Sequence, residues 1–308
     1  MPDKSKIHQD SALTGISVRY KNETYLADIV SPHYPVKHLS NKYYIYSKDN
    51  FRLEESRRSS NGEAREVNWD MSTGTYTLER HSFKHLVGDD DKENADPGVD
   101  LEKDATEVLT DKILLRKEKS LIDLIHTNGN WANESSLGAA GAWSANTTAS
   151  NPILVVDSAT TAIVKNSGKR ANVAIMDLTT FKAAKNHTSI LDLVKYTSAD
   201  SITEAMLAKL FNIKNVYVSQ AVENSAAEGL SDSQGFLMTD VCWVGYLEKA
   251  PGLMKPSAFY TLFKGQKKFE VKRWREEGRD GVFIEVNSYY QHKPIATDCG
   301  YLIVNTVQ

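Results

Sequence analysis

Gly168-Lys169, within NSGKRA at 166–171, is the glycine–lysine pair that a phosphate-binding loop would use. Such a loop cradles phosphate oxygens in backbone N–H groups and needs another Gly five residues earlier, where this chain has Ile163. His81 and His85 are four apart, as in a zinc-binding helix, but they lack the adjacent Glu and lie in charged, strand-like sequence. Asp89, Asp91 and Glu93 follow calcium-loop spacing. However, the sixth position, which must be Gly for the turn, is Asn94, and the twelfth is Asp100. Cys242 and Cys299 form no CxxC pair, so neither a zinc knuckle nor a disulfide framework is indicated, and both are expected as buried small apolar residues. The Arg57–Arg58 pair could touch nucleic acid, yet its neighbours Glu54, Glu55 and Glu63 favour ion pairing between subunits. No catalytic, cofactor-binding or metal-binding residue is assigned, and a non-enzymatic role is expected.

The elements that must position these side chains follow from periodicity. Leu101, Ala105, Val108, Leu109, Ile113, Leu115, Ile122 and Ile125 fall at helical spacing, with Glu107, Asp111, Lys112, Glu118 and Lys119 on the wetter side. With no Pro or Gly from Leu101 to Asn128, Asp100 as N-cap and Gly129 as stop, one helix of about 26 residues and about 39 Å is expected. Asp introduced at Leu115 or Ile122 would leave an unpaired buried carboxylate on this helix and is expected to abolish folding. Before it, residues 37–96 hold strand formers such as Tyr43, Tyr44, Tyr46, Trp69, Tyr76 and Phe83, but too few aliphatics for a core of their own. Such a stretch must pack on the rest of the chain or project as a two-stranded arm buried by a neighbour; the arm is the preferred reading. Trp131 and Trp143, in a loop rich in small residues, are expected to pack elsewhere.

Residues 152–222 alternate helices and strands: helices at 152–164, 178–186 and 201–212, and strands at 171–177 and 215–222. Ser201 and Glu204 form the capping box of the last helix. An apolar strand is expected within 236–247, and long antiparallel strands around FEVKRW, VFIEVNSYY and YLIVNTV, with EEGRDG at 276–281 as a charged turn.

Composition narrows the function classes. At 308 residues, 41% hydrophobic and 25% charged, the chain can bury one large core or two moderate ones. A net charge of −3 supplies no basic domain for sequence-specific nucleic-acid binding, although a mildly acidic wall suits a container in which a packed polyanion slides. The opening MPDKSKIHQDSALTG has no apolar core of signal-peptide length and no run approaches a membrane span, so a cytoplasmic protein without a membrane partner is expected.

The order of parts resembles a tailed-phage major capsid protein. The resemblance rests on YLADIVSPHYPV, then YYIYSKDNFRLEESRRSSNGEAREVNWDMSTGTYTLERHSF, then DATEVLTDKILLRKEKSLIDLI, and an α/β segment with LAKLFNIKNVYVSQAV. It implies an α+β fold of the Hong Kong 97 type: an N-arm at 1–36, an extended β-loop at 37–99, a peripheral domain with spine helix and sheet at 100–151 and 268–298, and an α/β axial domain at 152–267 and 299–308. It also implies hexamers and pentamers of an icosahedral-type shell that encloses double-stranded phage DNA without sequence specificity. Scaffolding protein, portal and, where present, decoration protein would be partners, with assembly in the bacterial host cytoplasm and residence in the virion capsid. The extended loop would lie over an adjacent subunit, with Tyr43, Tyr44, Tyr46 and Trp69 as anchors and Arg52, Glu54, Glu55, Arg57 and Arg58 as ionic partners. A bacterial nanocompartment shell enclosing a cargo enzyme resembles the same fold. An α/β small-molecule enzyme is the rival from another class, and it leaves the coreless arm unexplained.

Overall fold

The computed structural model describes residues 22, 24–46, 48–68, 70–95, 100–195, 202–227, 229–250, 252, 255–265 and 268–308. A short helix α1 (Leu26–Val30) leads into β1 (His33–Val36), β2 (Ser40–Tyr46), β3 (Met71–Thr77) and β4 (Glu79–Gly88). Then come α2 (Asp89–Glu93), the long α3 (Leu101–His126) and β5 (Asn133–Ser136). The middle of the chain is α4 (Pro152–Ser167), β6 (Val173–Asp177), α5 (Leu178–Lys185), α6 (Thr188–Val194), α7 (Glu204–Leu210) and β7 (Asn215–Ser219). It closes with β8 (Val222–Asn224), β9 (Gln234–Phe236), β10 (Val241–Gly245), β11 (Phe259–Lys264), β12 (Glu270–Glu276), β13 (Gly281–Pro294) and β14 (Gly300–Val304).

Local chemistry sets these boundaries. Asp100 caps α3 by accepting from the backbone N–H groups of Glu102 and Lys103, and the helix then runs 26 residues as its uninterrupted sequence requires. Asn151 caps α4 ahead of Pro152, and Gly168 ends it at φ +65°, the left-handed conformation that favours glycine. Thr203, not the expected Ser201, caps α7 by accepting from Met206 N; Ser201 lies outside the described residues. Asp177 joins β6 to α5: its buried carboxylate accepts from the N–H groups of Thr179, Thr180 and Val241 at 3.0 Å each.

Two five-stranded sheets organise the molecule. One has the order β5-β14-β10-β6-β7, with β6 paired to β7 in parallel and to β10 antiparallel. Both its faces are covered, so β6 and β10 are buried at every position, as their continuous apolar sequence demands. Ala174, Met176, Cys242 and Val244 point into the core beneath α4 and α5–α7, where Trp143 also packs. Val173, Ile175, Val241 and Trp243 point into a second core with Trp131, Phe259 and the C-terminal half of α3. Both loop tryptophans thus pack against distant elements, and both cysteines are buried.

The other sheet runs β1-β11-β13-β12, with β4 paired along β13 from Gly281↔Gly88 to Tyr290↔Glu79. The N-terminal half of α3 crosses this sheet and buries Ala105, Leu109 and Ile113 against Val87, Ile284 and Val286. The spine helix therefore belongs to both sheets' cores. Two expectations for it need correction. Glu118, placed on the wetter side, is fully buried, and Leu115, placed on the buried face, is only half-buried. Position on α3 sets burial jointly with the segments laid against its flank, and periodicity does not reveal those.

Candidate functional site: the extended arm and the groove beside the spine helix

Strands β2 and β3 form a two-stranded arm in register from Ser40↔Thr77 to Tyr46↔Met71. Its root is fixed: Tyr76 and Leu78 are buried with Val36, Tyr260 and Leu262. Beyond the root the arm buries almost nothing. Residues 48–51 form one 3-10 turn, and the following stretch carries no helix or strand through residue 68.

The predicted contact residues separate into groups. Tyr43 is half-buried over Gly74, its cross-strand partner, whose lack of a Cβ leaves room for the ring. Tyr44, one residue on and so on the other face, is 64% exposed. Tyr46 contributes backbone to β2 while its side chain is outside the description, and Trp69 lies outside the described residues. Glu54 pairs with Arg65 at 3.8 Å, Glu55 accepts from Arg57 N at 3.0 Å, and Arg58 donates to the Gly62 carbonyl. Arg52, Arg57 and Arg58 are exposed. Sequence reasoning missed the arm's exposed apolar residues: Phe51, Leu53, Val67 and Met71, with Leu53 at 99% exposure. Their signal was present as single apolar residues spaced through charged sequence; Phe51 lies over Gly168 of its own chain, while Leu53 meets solvent.

Along the second half of β4, α3 leaves part of the sheet uncovered. An open groove of about 900 Å³ runs between β4 and the N-terminal half of α3, with Phe83, Val87, Leu101, Val108 and Leu109 among its lining residues and Lys84, Asp91, Asp104 and Lys112 contributing charge. Phe83 and Val108 are about two-fifths exposed within it, so a mostly apolar trough faces solvent.

The motifs that suggested chemistry occupy structural positions. Gly168 ends α4 instead of starting a helix, and the Lys169 ammonium lies 5.8 Å from the Tyr246 ring centroid. His81 and His85 lie on strand β4, where His81 stacks on Tyr290 at 4.4 Å and burial lowers its pKa. Asp89, Asp91 and Glu93 lie in helix α2, with Asp89 paired to Arg275 at 2.9 Å. Among the described residues no cluster of three His, Cys, Asp or Glu is arranged to hold a metal, and no helix is long and apolar enough to cross a membrane.

Comparison with known proteins fits this architecture. The sequence pattern of the phage major capsid protein E family matches residues 62–290. The major capsid protein of Burkholderia phage BcepMu is 25% identical over 301 residues, covering 96% of this chain and 95% of that protein. A phage-related protein from Bordetella bronchiseptica RB50 superposes with a TM-score of 0.74 at 22% identity, covering 93% of this chain and 94% of its own. The capsid structure of cyanophage P-SCSP1u gives 0.69 at 11% identity, with 98% and 93% covered. An encapsulin complex of Synechococcus elongatus PCC 7942 gives 0.58 at 11% identity, with 98% and 97% covered, and shares the fold alone. The α+β fold is thus the Hong Kong 97-like capsid fold that the order of parts implied. A coreless arm, a spine helix between two sheets and a family pattern across most of the chain lead to one conclusion: this chain belongs to the phage major capsid protein E family.

Proposed function

We propose that this chain assembles with itself into the hexamers and pentamers of an icosahedral-type phage shell around double-stranded DNA, with the arm of each subunit seated on its neighbour. The observation that carries this reading is the set of exposed apolar side chains, Leu53 foremost, on an arm without a core. Phe51, Leu53 and Val67 are each more than half exposed, while the same chain presents an open apolar trough between β4 and α3. Two different complementary patches on one molecule give head-to-tail contacts, which repeat and close around a ring. Alternating charges along the arm, Arg52, Glu54, Glu55, Arg57 and Arg58, set its register on the neighbour, and Tyr44 adds an exposed aromatic anchor.

In the same reading residues 1–36 are the N-arm, 37–99 the extended loop, 100–151 with 268–298 the peripheral domain, and 152–267 with 299–308 the axial domain. The net charge of −3 suits an inner wall along which packed DNA slides. Scaffolding protein, portal and, where present, decoration protein act on this shell in the bacterial cytoplasm.

Size-exclusion chromatography with negative-stain imaging of the purified chain tests this reading. Capsomers or closed particles are expected. A chain that stays monomeric at high concentration, alone and with its scaffolding protein, would overturn it. Changing Leu53→Asp on the arm and Val108→Asp in the groove should give the same loss of particles while leaving the subunit soluble. An encapsulin-like shell would instead show protein cargo inside the particle.

A further inference from the structure

The segment just before the arm is held to the spine helix by buried charge. Ala27 N–H donates to Glu118 Oε2 at 2.7 Å, and Leu26 N–H bonds the same carboxylate. One residue earlier on α3, Lys117 Nζ lies 2.7 Å from Asp28 Oδ1, and that oxygen also meets Lys268 Nζ at 3.2 Å and His33 Nε2 at 3.0 Å. Lys117 Nζ is 3.1 Å from the same His33 nitrogen, so that nitrogen can donate to Asp28 or accept from Lys117, but not both. The Lys117 side chain is 6% exposed, and Glu118 Oε1 is buried without a hydrogen-bond partner. From β13, Tyr290 presents its ring to Lys117 and His292 Nε2 donates to the Lys117 carbonyl at 3.2 Å; nearby on α3, Asp111 accepts from Tyr25 OH at 3.0 Å.

Buried ion pairs give little net stability, because desolvation offsets their attraction, yet losing one partner is costly since the other charge is left buried. A joint built this way is seated or released as a whole. Its apolar share is Leu26, Ala27 and Val30, which meet the C-terminal half of α3, and Val36, which meets Tyr260 and Leu262 at the arm's root. Strand β1 ends the order of its sheet, paired in parallel to β11.

We propose that residues 25–36 form a strap that opens as a unit while the remaining strands of both sheets stay folded, with Asp28, Lys117 and Glu118 as its latch. Burial pushes the Glu118 carboxyl up, so the seated state holds its proton more tightly than the open state. By linkage, mild acid favours the seated strap, and rising pH through the carboxyl range loosens it. The His33 hydrogen bond leads the contacts that hold Asp28 far below the usual carboxylate range, so its contribution is present at neutral pH and is lost only in strong acid. Burial lowers the Lys117 ammonium, so its linkage has the opposite sign to that of Glu118.

Hydrogen exchange on the intact chain, measured over a series of pH values and corrected for intrinsic rates, reads this directly. Strap amides are expected to exchange at least about tenfold faster than those of α3, as a sub-global opening requires. Asp28→Asn should speed the strap by a further factor of about ten without changing α3, because it unpairs Lys117. Glu118→Gln keeps the acceptor, removes the charge, and should slow strap opening and flatten its dependence on pH. Asp28→Asn with Lys117→Met should return the strap to near the wild-type rate. Strap and α3 exchanging at one common rate in the wild type, or a Glu118→Gln protein with the pH dependence of the wild type, would overturn the proposal even if Asp28→Asn failed to fold.

Discussion

Glu118 and Ile122 stand one turn apart on α3, both out of water, and they respond to substitution in opposite ways. Ile122 packs with Leu121, Ile125 and Trp243 in the core shared with the first sheet. Asp at that position forfeits a buried side chain, about 2–5 kcal/mol, and adds an unpaired carboxylate, which together exceed the reserve of most domains. Insoluble protein is expected, and a soluble Ile122→Asp chain with an unchanged thermal midpoint would contradict it. Leu115→Asp is now expected to be milder, because that side chain is only half-buried and the new charge reaches solvent. His292 gives the acid limit. Its Nδ1 accepts from Thr261 and its Nε2 donates to Lys117 O, so it is held as the neutral imidazole, with a pKa pushed down by burial to about 3. The unfolded chain therefore binds the proton first, and stability falls as pH drops from about 6.5 toward that value. Thermal melts of His292→Gln should show a shallower loss across this window than the wild type. Helical spacing made the burial of Ile122 legible, but not the settings of Glu118, Lys117 and His292. Ala27 and Asp28, which meet Glu118 and Lys117, lie 91 and 89 residues away along the chain, and helical spacing cannot tell a charged position that meets a distant segment from one that meets water.

At the scale of elements the sequence was clearest where a single cause acted alone. An uninterrupted amphipathic run with a capping aspartate became α3 over its expected length, and Asn151-Pro152 with Gly168 bounded α4. Asn151→Ala removes two cap hydrogen bonds and is expected to cost about 1 kcal/mol, measurable as a lowered denaturation midpoint at constant slope. Elements held by pairing alone were not legible: β1 contains a proline, and β5 is NESS, without a hydrophobic alternation, yet each pairs in parallel with a strand far along the chain. In the arm, the shortage of aliphatics was legible in the composition, but which side chains stay exposed was not. Tyr43 turns inward over Gly74, and the exposed apolar surface falls on Phe51, Leu53 and Val67. Arg57 and Arg58 together changed to Glu reverse the charge order on a surface with no core to disturb. Soluble subunits that fail to form shells are expected, and normal particles by electron microscopy would refute the ionic role given to this pair.

For the whole molecule, one helix is part of two cores. The N-terminal half of α3 buries Ala105, Leu109 and Ile113 on one sheet, and its C-terminal half buries Leu121, Ile122 and Ile125 on the other. Neither sheet can lose its packing without exposing the helix to the other's solvent, so heating should give a single calorimetric transition for both. Two resolved transitions would show that the sheets melt separately. The same arrangement has a mechanical meaning. A helix with no glycine or proline inside it is a stiff rod, and here it is gripped at both ends like a beam built into two walls. A twist applied to one sheet reaches the other as rotation of the beam, with no hinge residue within the rod to absorb it. Pressure on a curved shell of such subunits would therefore be taken up between molecules, at the seams, before it deformed any single one.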